Sequence, residues 1–205
     1  MTTFVDLTIP ITSTMPFNPD HFPPEISTYG SIERDGWAAS RLVLSSHLGT
    51  HIDAPSHFIA GGPAVDQIPL DVLIGEAQVI DVRHVTSGKP IEPDDLPDIE
   101  SPRVLLYTGW SEEQLGTLDY FSAHPYLAEA AAARLISRGV RLFGIDSPSV
   151  DYHPSETHKV ILGNGGVIVE NLVNLGLLPG ICNVAILPLR LQGVDGSPVR
   201  ATAMF

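Results

Sequence analysis

The chain has 205 residues, of which 43% are hydrophobic and 17% are charged, and its formal net charge is −13. This composition excludes a disordered chain and is sufficient for one substantial hydrophobic core. The acidic balance argues against nucleic acid and anionic membrane surfaces as partners, because both attract a basic face. We therefore interpret residues 1–205 as a single α/β domain.

Several features predict a cytoplasmic location. No apolar run reaches the roughly 18 residues that a membrane-spanning helix needs. The first six residues lack the basic start of a secretory signal and already contain Asp6. Cys182 is the single cysteine, which excludes an internal disulfide and fits a reducing compartment. Its apolar neighbours Ile181 and Val184 predict a buried, unreactive thiol.

Short apolar runs separated by proline and glycine predict a series of strands. In chain order, these predicted strands are 4–11, 40–46, 78–82, 104–108, 141–145 and 183–191. The clearest helix is predicted over 125–138, because Pro125 suits a first helical position and Gly139 suits the position after the end. A second, shorter helix is predicted over about 170–175.

Four side chains capable of binding a metal lie in a window of eleven residues, 47–57, directly after the predicted strand 40–46. They are His47, His51, Asp53 and His57. The chain has only eight histidines, so three in this window is a marked concentration. All four positions are odd-numbered, and extended backbone would turn their side chains to one face.

Neither a regular helix nor a straight strand suits this segment. Gly49, Pro55 and the β-branched Thr50 and Ile52 disfavour a helix. Ten fully extended residues span about 33 Å, whereas the ligands of one metal ion lie roughly 2 Å from it. The segment must therefore bend, and we predict the bends at Gly49 and Pro55. We interpret it as a bent loop whose side chains surround a cation.

Three candidate residues lie far along the chain. His158 lies in a predicted loop, and Glu170 ends an apolar run, where a carboxylate is rare unless it is paired or binds a metal. Asp146 follows the predicted strand 141–145, where it could orient a ligand histidine, although its sequence context equally fits a turn. The other histidines are interpreted as structural or surface groups; they are His21, His84, His124 and His153.

The motif His47-x-Gly49-Thr50-His51-x-Asp53-x-Pro55-x-His57 resembles the signature of the metal-dependent putative cyclase family, which includes bacterial kynurenine formamidase and isatin hydrolase. Weaker blocks extend the resemblance over essentially the whole chain, at residues 61–70, 144–146, 170–172 and 188–200. The resemblance implies a compact α/β domain with a barrel-like mixed sheet and flanking helices. It also implies a homodimer or a larger homo-oligomer.

The resemblance further implies roles for individual residues. The residues that would bind one or two divalent ions, zinc or manganese, are His47, His51, Asp53, His158 and Glu170. Asp53 would bridge the two ions, and His57 would be the catalytic acid/base. The implied reaction is hydrolysis of a small amide, such as N-formylkynurenine, by water that the metal activates.

One departure from the formamidases of the family lies near the N-terminus. Those enzymes carry an aromatic residue there that stacks on the ring of the substrate, followed by a Pro-Gly pair. Here Asn18 stands at the aromatic position and Asp20 stands where the glycine would be. Together with Asn18, the nearby Phe17 and Phe22 are the candidates for contact with the substrate.

Other functions fit the same residues. A lactam or lactone hydrolase, or a true cyclase, would use the same activated water or base, and only the pocket would differ. A metal-binding protein without turnover is the alternative from a different class. His57 favours an enzyme, because a closed structural site has no need of a spare titrating group beside it.

Overall fold

The computed structural model describes residues 1–205. The strands are β1 (Phe4–Asp6), β2 (Glu25–Gly30), β3 (Ala39–Val43), β4 (His51–Asp53), β5 (Ile74–Asp81), β6 (Pro90–Ile91), β7 (Arg103–Tyr107), β8 (Tyr126–Leu127), β9 (Leu142–Ile145), β10 (Val167–Glu170), β11 (Ile181–Pro188) and β12 (Gly196–Met204). The helices are α1 (Ile32–Asp35), α2 (Leu70–Leu73), α3 (Trp110–Gln114), α4 (Glu129–Ser137) and α5 (Glu156–Gly163). None of these helices is both long enough and apolar enough to cross a membrane.

Eight strands form the main sheet in the order β1-β12-β11-β5-β7-β9-β10-β4, and β12 pairs in addition with β4. This last pairing closes seven strands, from β12 to β4, into a barrel. The pairs along β5, β7, β9 and β10 are parallel, while the pairs made by β4, β11 and β12 are antiparallel. The prediction of an α/β domain with a barrel-like mixed sheet is confirmed.

Apolar side chains form one core inside the barrel and a second under the helices. The first cluster has 21 buried residues and draws on all seven barrel strands, from Ile52 on β4 to Ala203 on β12. The second cluster has 18 and joins the outer side of β7 and β9 to Leu135 of α4 and Ile161 of α5. The single compact domain therefore consists of a filled barrel with its helices packed on one side.

The predicted strands are present with shifted ends, while the helices differ more from the prediction. The main helix begins at Glu129 rather than Pro125, because Tyr126 and Leu127 pair with β6. The helix predicted over 170–175 is wrong, since Glu170 ends β10 and faces His51 across the sheet; only Leu175–Leu177 form a 3₁₀ turn. The loop predicted around His158 is the helix α5.

Candidate metal centre

The centre is built around β4 and its neighbour β10. His51 and Asp53 are two residues apart on β4, so strand alternation turns both side chains the same way. Glu170, at the end of β10, is the register partner of His51. Backbone pairing therefore fixes the positions of these three candidate ligands relative to one another.

His47 and His57 reach the same place through the two predicted bends. Gly49 has φ 61°, a left-handed conformation that glycine adopts readily. Pro55 opens the 3₁₀ turn Pro55–His57. The bends are thus confirmed, but only His51 and Asp53 lie on a strand, and the strand predicted over 40–46 ends at Val43.

Nitrogen and oxygen donors converge at one end of the barrel. His51 Nε2 lies 3.4 Å from Asp53 Oδ1 and 3.5 Å from Glu170 Oε2. His158 Nε2 lies 3.3 Å from Glu170 Oε1 and 3.6 Å from Asp53 Oδ2. His47 Nδ1 lies 2.7 Å from Asp53 Oδ1. The five predicted ligands are therefore brought together, with Asp53 at the centre.

These separations fit a divalent cation. Two donors bound tetrahedrally to one zinc ion, each about 2.1 Å from it, are about 3.4 Å apart. Four of the five separations lie close to that value and are too long for strong hydrogen bonds. Asp53 and Glu170 are only 1% and 4% exposed, and buried carboxylates are rare unless they are paired or bind a metal. The donor set of histidine nitrogen and carboxylate oxygen suits a divalent metal.

Each of the three histidine rings is held by a hydrogen bond on the side away from the donors. His51 Nδ1 lies 2.8 Å from the carbonyl oxygen of Gly49. His158 Nδ1 bonds Asp151 at 2.6 Å, and His47 Nε2 bonds Asp195 at 2.7 Å. Histidine ligands of metals are held in this way. The rings therefore present His51 Nε2, His158 Nε2 and His47 Nδ1 to the centre.

When no cation is bound, protons on the histidine rings balance the negative charge of the neighbouring carboxylates. Burial disfavours the charged form of His47, but Asp53 and Asp195 outweigh this and raise its pKa to about 9. Burial acts in the same way on His158, where neighbouring carboxylates again prevail and raise the pKa well above its ordinary value. A cation that binds between these rings and Asp53 must displace those protons.

Asp146 does not contact a ligand histidine, although the sequence analysis proposed that it could orient one. Its oxygens accept hydrogen bonds from Thr108 N, Thr108 Oγ1 and Gly109 N, at 2.5 to 2.9 Å. Burial raises the pKa of this carboxyl group to about 6. Asp146 thus anchors the turn after β7, and Asp151 is the carboxylate that contacts a ligand histidine, His158.

A cavity of about 270 Å³ opens above the donors. Phe17 and Asn18 line it, whereas Phe22 does not; Phe22 is 50% exposed and lies outside the cavity, contrary to its predicted contact with the substrate. His21, which the sequence analysis interpreted as a structural or surface group, also lines the cavity, with its ring centroid 5.8 Å from that of His47.

Sequence reasoning missed three residues of this site, which are His21, Asp151 and Asp195. The first two lack a local pattern, since neither stands at a regular spacing from the histidine that it contacts. Asp195 lies 148 residues from His47, although it belongs to the C-terminal block that carried the family resemblance. That block was the one available signal.

A closed mixed barrel with buried histidine and carboxylate donors at the floor of a cavity defines a divalent-metal protein with an accessible site. The chain belongs to the Putative cyclase family, whose model matches residues 5–152. It is 35% identical over 209 residues to a kynurenine formamidase of Geobacillus thermodenitrificans, with 98% of this chain and 97% of the relative covered. A kynurenine formamidase of Bacillus mycoides is 34% identical, with 97% and 95% covered.

Solved structures agree with this membership. Isatin hydrolase A from Labrenzia aggregata, bound to benzyl benzoate, superimposes with a TM-score of 0.88 at 27% identity, covering 99% of this chain and 93% of the other. A potential metal-dependent hydrolase with cyclase activity gives a TM-score of 0.84 at 31% identity, covering 100% and 98%. The fold of the chain is therefore shared with isatin hydrolase A and with this potential metal-dependent hydrolase.

Proposed function

We propose that this protein is a divalent-metal-dependent hydrolase of small amides, with an arylformamide such as N-formylkynurenine as its substrate. The observation that carries the proposal is the convergence of five donors at the floor of a cavity, four of them buried and the fifth, His47, with a side chain only 9% exposed. Beside them lies His57, which contacts the ring of His47 but is hydrogen-bonded to none of the five. Relatives named kynurenine formamidase, similar over nearly the full length, support the choice of substrate.

Two overlapping donor sets account for one or two ions. His47, His51 and Asp53 form one set, and Asp53, His158 and Glu170 form the other. The histidines favour zinc, while the carboxylates also allow manganese. When bound, the ion acts as a Lewis acid and lowers the pKa of a water ligand from near 16 to about 7.

His57 moves the proton in this proposal. Its side chain is 27% exposed, and its ring stacks on that of His47 with a centroid separation of 3.9 Å. Burial lowers the pKa of His57, so the ring is uncharged near neutral pH. It can take a proton from the attacking water and give it to the nitrogen as the C–N bond breaks. Such help contributes about 10²–10⁴-fold to the rate.

The lining of the cavity suits a small substrate with an aromatic part. Phe58 and Phe121 offer apolar faces, and Asn18 and His21 offer polar groups near the donors. An amide at position 18 provides a hydrogen-bonding group in place of a stacking ring. This favours a second candidate function, hydrolysis of a cyclic amide such as isatin, which the similarity to isatin hydrolase A also supports.

We also propose a homodimer. The two-stranded sheet of β2 and β3 stands apart from the barrel. Ile26 and Leu42 are exposed on it, and Trp37 is exposed in the segment that connects its two strands. A two-stranded sheet is only marginally stable alone, so contact with a second copy would stabilise it. Light scattering after size-exclusion chromatography tests the assembly. The cytoplasmic location stays a prediction.

Elemental analysis paired with turnover tests the proposed function. Turnover of N-formylkynurenine is measured on the purified protein, after chelation, and after readdition of zinc or manganese. Loss on chelation and recovery with metal is the expected result. Metal-dependent turnover of isatin alone would assign the lactam instead. Bound metal without hydrolysis of any amide, lactam or lactone would overturn the proposed hydrolase activity and indicate a metal-binding protein without turnover.

A further inference from the structure

Asp195 lies in the turn before β12, where backbone hydrogen bonds tie it to the metal-binding segment. Its carbonyl oxygen accepts a hydrogen bond from Ala54 N at 2.9 Å. The next residue, Gly196, is the register partner of Asp53. The position of Asp195 relative to β4 is therefore set by the pairing that closes the barrel.

The two carboxylate oxygens of Asp195 have different partners. Ser46 Oγ donates a hydrogen bond to Oδ1 at 3.2 Å. The other oxygen, Oδ2, lies 2.7 Å from His47 Nε2 and 3.2 Å from His57 Nδ1. One oxygen atom thus contacts two imidazole rings, and the serine hydroxyl fixes the rotation of the carboxylate that makes this possible.

The two rings are in contact with each other as well. Their centroids are 3.9 Å apart and their planes are inclined by 31°. A Cβ added at Gly196 would lie 2.9 Å from Cε1 of the His47 ring, so the backbone of this turn also approaches the ring closely. His47 therefore contacts His57, the backbone at Gly196 and the carboxylate of Asp195.

We propose that Asp195 is a positioning residue that sets His47 and His57 relative to each other through a single carboxylate oxygen. For His47, the bond at Nε2 turns Nδ1 towards Asp53 and the cation. For His57, the contact at Nδ1 keeps the hydrogen on that nitrogen and leaves Nε2 free for the proton that hydrolysis moves. The second part rests on the proposed function, since it assigns the use of His57.

A carboxylate that is 41% exposed would ordinarily remain hydrated, and most exposed ion pairs contribute little. Asp195 differs because both of its oxygens are directed at groups of the site, and no lysine or arginine side chain is bonded to it. The arrangement is that of a carboxylate holding a ligand histidine, extended to a second ring. Loss of such a partner costs about 10–100-fold in metal affinity or activity.

The test compares Asp195→Ala with Asp66→Ala. Asp66 is a suitable control because it bonds Gly193 N of the same turn at 3.0 Å and contacts neither ring. Zinc affinity is measured by competition with a chromophoric chelator, without substrate. We expect Asp195→Ala to weaken zinc binding about 10–100-fold, while Asp66→Ala and His57→Ala bind zinc as the unchanged protein does.

The contact with His57 has its own readout. In long-range ¹H–¹⁵N spectra of the zinc-loaded protein, we expect His57 to carry its hydrogen on Nδ1, and to lose this preference in Asp195→Ala. In turnover, Asp195→Ala should lower kcat about 10–100-fold with little change in KM. At saturating zinc, the part of this cost that acts through His57 should vanish in a protein that already carries His57→Ala, so the double variant should lose less kcat than the product of the two single losses.

The proposal would be overturned by an unchanged zinc affinity of Asp195→Ala, or by an unchanged tautomer of His57 in that variant. It would also be overturned if the losses of kcat caused by Asp195→Ala and His57→Ala multiply in the double variant. If Asp195→Ala does not fold, Asp195→Asn and Ser46→Ala provide graded replacements, for which smaller losses in the same direction are expected. If the unchanged protein hydrolyses no substrate, the proposed function fails, while the zinc affinities and spectra still decide the role of Asp195.

Discussion

The floor and the rim of the cavity are built differently. The floor consists of the five donors, which lie on paired strands, on a helix or in the tight bend before β4, and its three histidine rings are each held by a hydrogen bond on the far side. The rim, comprising Phe17, Asn18, His21, Leu115 and Phe121, belongs to segments outside the helices and strands. This difference teaches that the scaffold fixes the chemistry, while the loops select the substrate. Variants of the floor should therefore change metal binding, and variants of the rim should change only KM.

Removing a ligand from the floor is expected to have the largest effect. His51→Ala should lose bound metal and reduce turnover by more than the roughly 100-fold that loss of a supporting partner costs. Elemental analysis and kcat measure the two effects. His84→Ala is the control, because His84 is exposed and paired with the distant Asp95. Full metal occupancy in His51→Ala would contradict the ligand assignment.

His57, which lies beside the five donors of the floor, tests whether catalysis can be separated from metal binding. His57→Ala should keep its metal and lose about 10²–10⁴-fold in kcat, the usual contribution of a general acid or base. Metal content and steady-state kinetics on the same preparation decide the matter. Loss of the metal together with activity would show that His57 is a ligand rather than the acid/base residue.

The floor should respond to pH when its metal has been removed. Because the pKa of His47 is raised to about 9 in the folded protein, its protonated ring stabilises the metal-free fold fully below about pH 6.5, and this contribution is lost as the pH rises through about 9. The loss amounts to at most about 3 kcal/mol. Thermal unfolding between pH 6 and 10 should show Tm falling, and His47→Gln should make this fall smaller without abolishing it, because the pKa of His158 is raised as well.

Substitutions of Asp151 and Asp146 distinguish a residue that supports metal binding from one that supports the stability of the fold. Asp151→Asn should weaken metal binding about 10–100-fold, because it removes the carboxylate that holds His158. Asp146→Asn should instead lower stability by about 1–3 kcal/mol, since the new amide cannot accept the bonds from Thr108 and Gly109 together. Chelator competition and denaturant unfolding of both variants measure the contrast. The reverse pattern would restore the sequence prediction for Asp146.

The rim is expected to give the smallest effect. Asn18→Ala should change KM for the substrate by up to about tenfold, while metal content and kcat remain close to those of the unchanged protein. Phe22→Ala is the matched control, because Phe22 lies outside the cavity. An equal change of KM in both variants would mean that this segment acts through its backbone, and the separation of rim from floor would fail.

The parts of the site that could be predicted follow from local rules. Strand alternation and the two bends bring His47, His51, Asp53 and His57 together, and these rules act within eleven residues. His158 and Glu170 were candidates from the sequence pattern, and the family resemblance added their assignment as metal ligands. Asp195 could not be found locally, because its contact with His47 depends on the pairing of β12 with β4.

For a related reason, the local residue pattern did not predict the closure of the barrel, which only the family resemblance implied. The strand β12 is built largely from small residues, with two alanines, a glycine and a serine among its nine positions. It therefore lacks the large apolar run by which the other central strands were predicted. Asp146 and Asp151 show the same limit, since both follow β9 and only the packing of α5 decides which of them meets His158.

The strand β12 pairs with β1, β11 and β4, so the last strand of the chain lies next to the strand that carries His51 and Asp53. During synthesis on a ribosome, His51 and Asp53 emerge some 140 residues before Gly196 does. Until then β4 has no neighbour on that side, and His47 lacks Asp195. Contacts so distant along a chain form slowly. In the nascent polypeptide, the first donors are therefore exposed to solvent before the barrel around them can close.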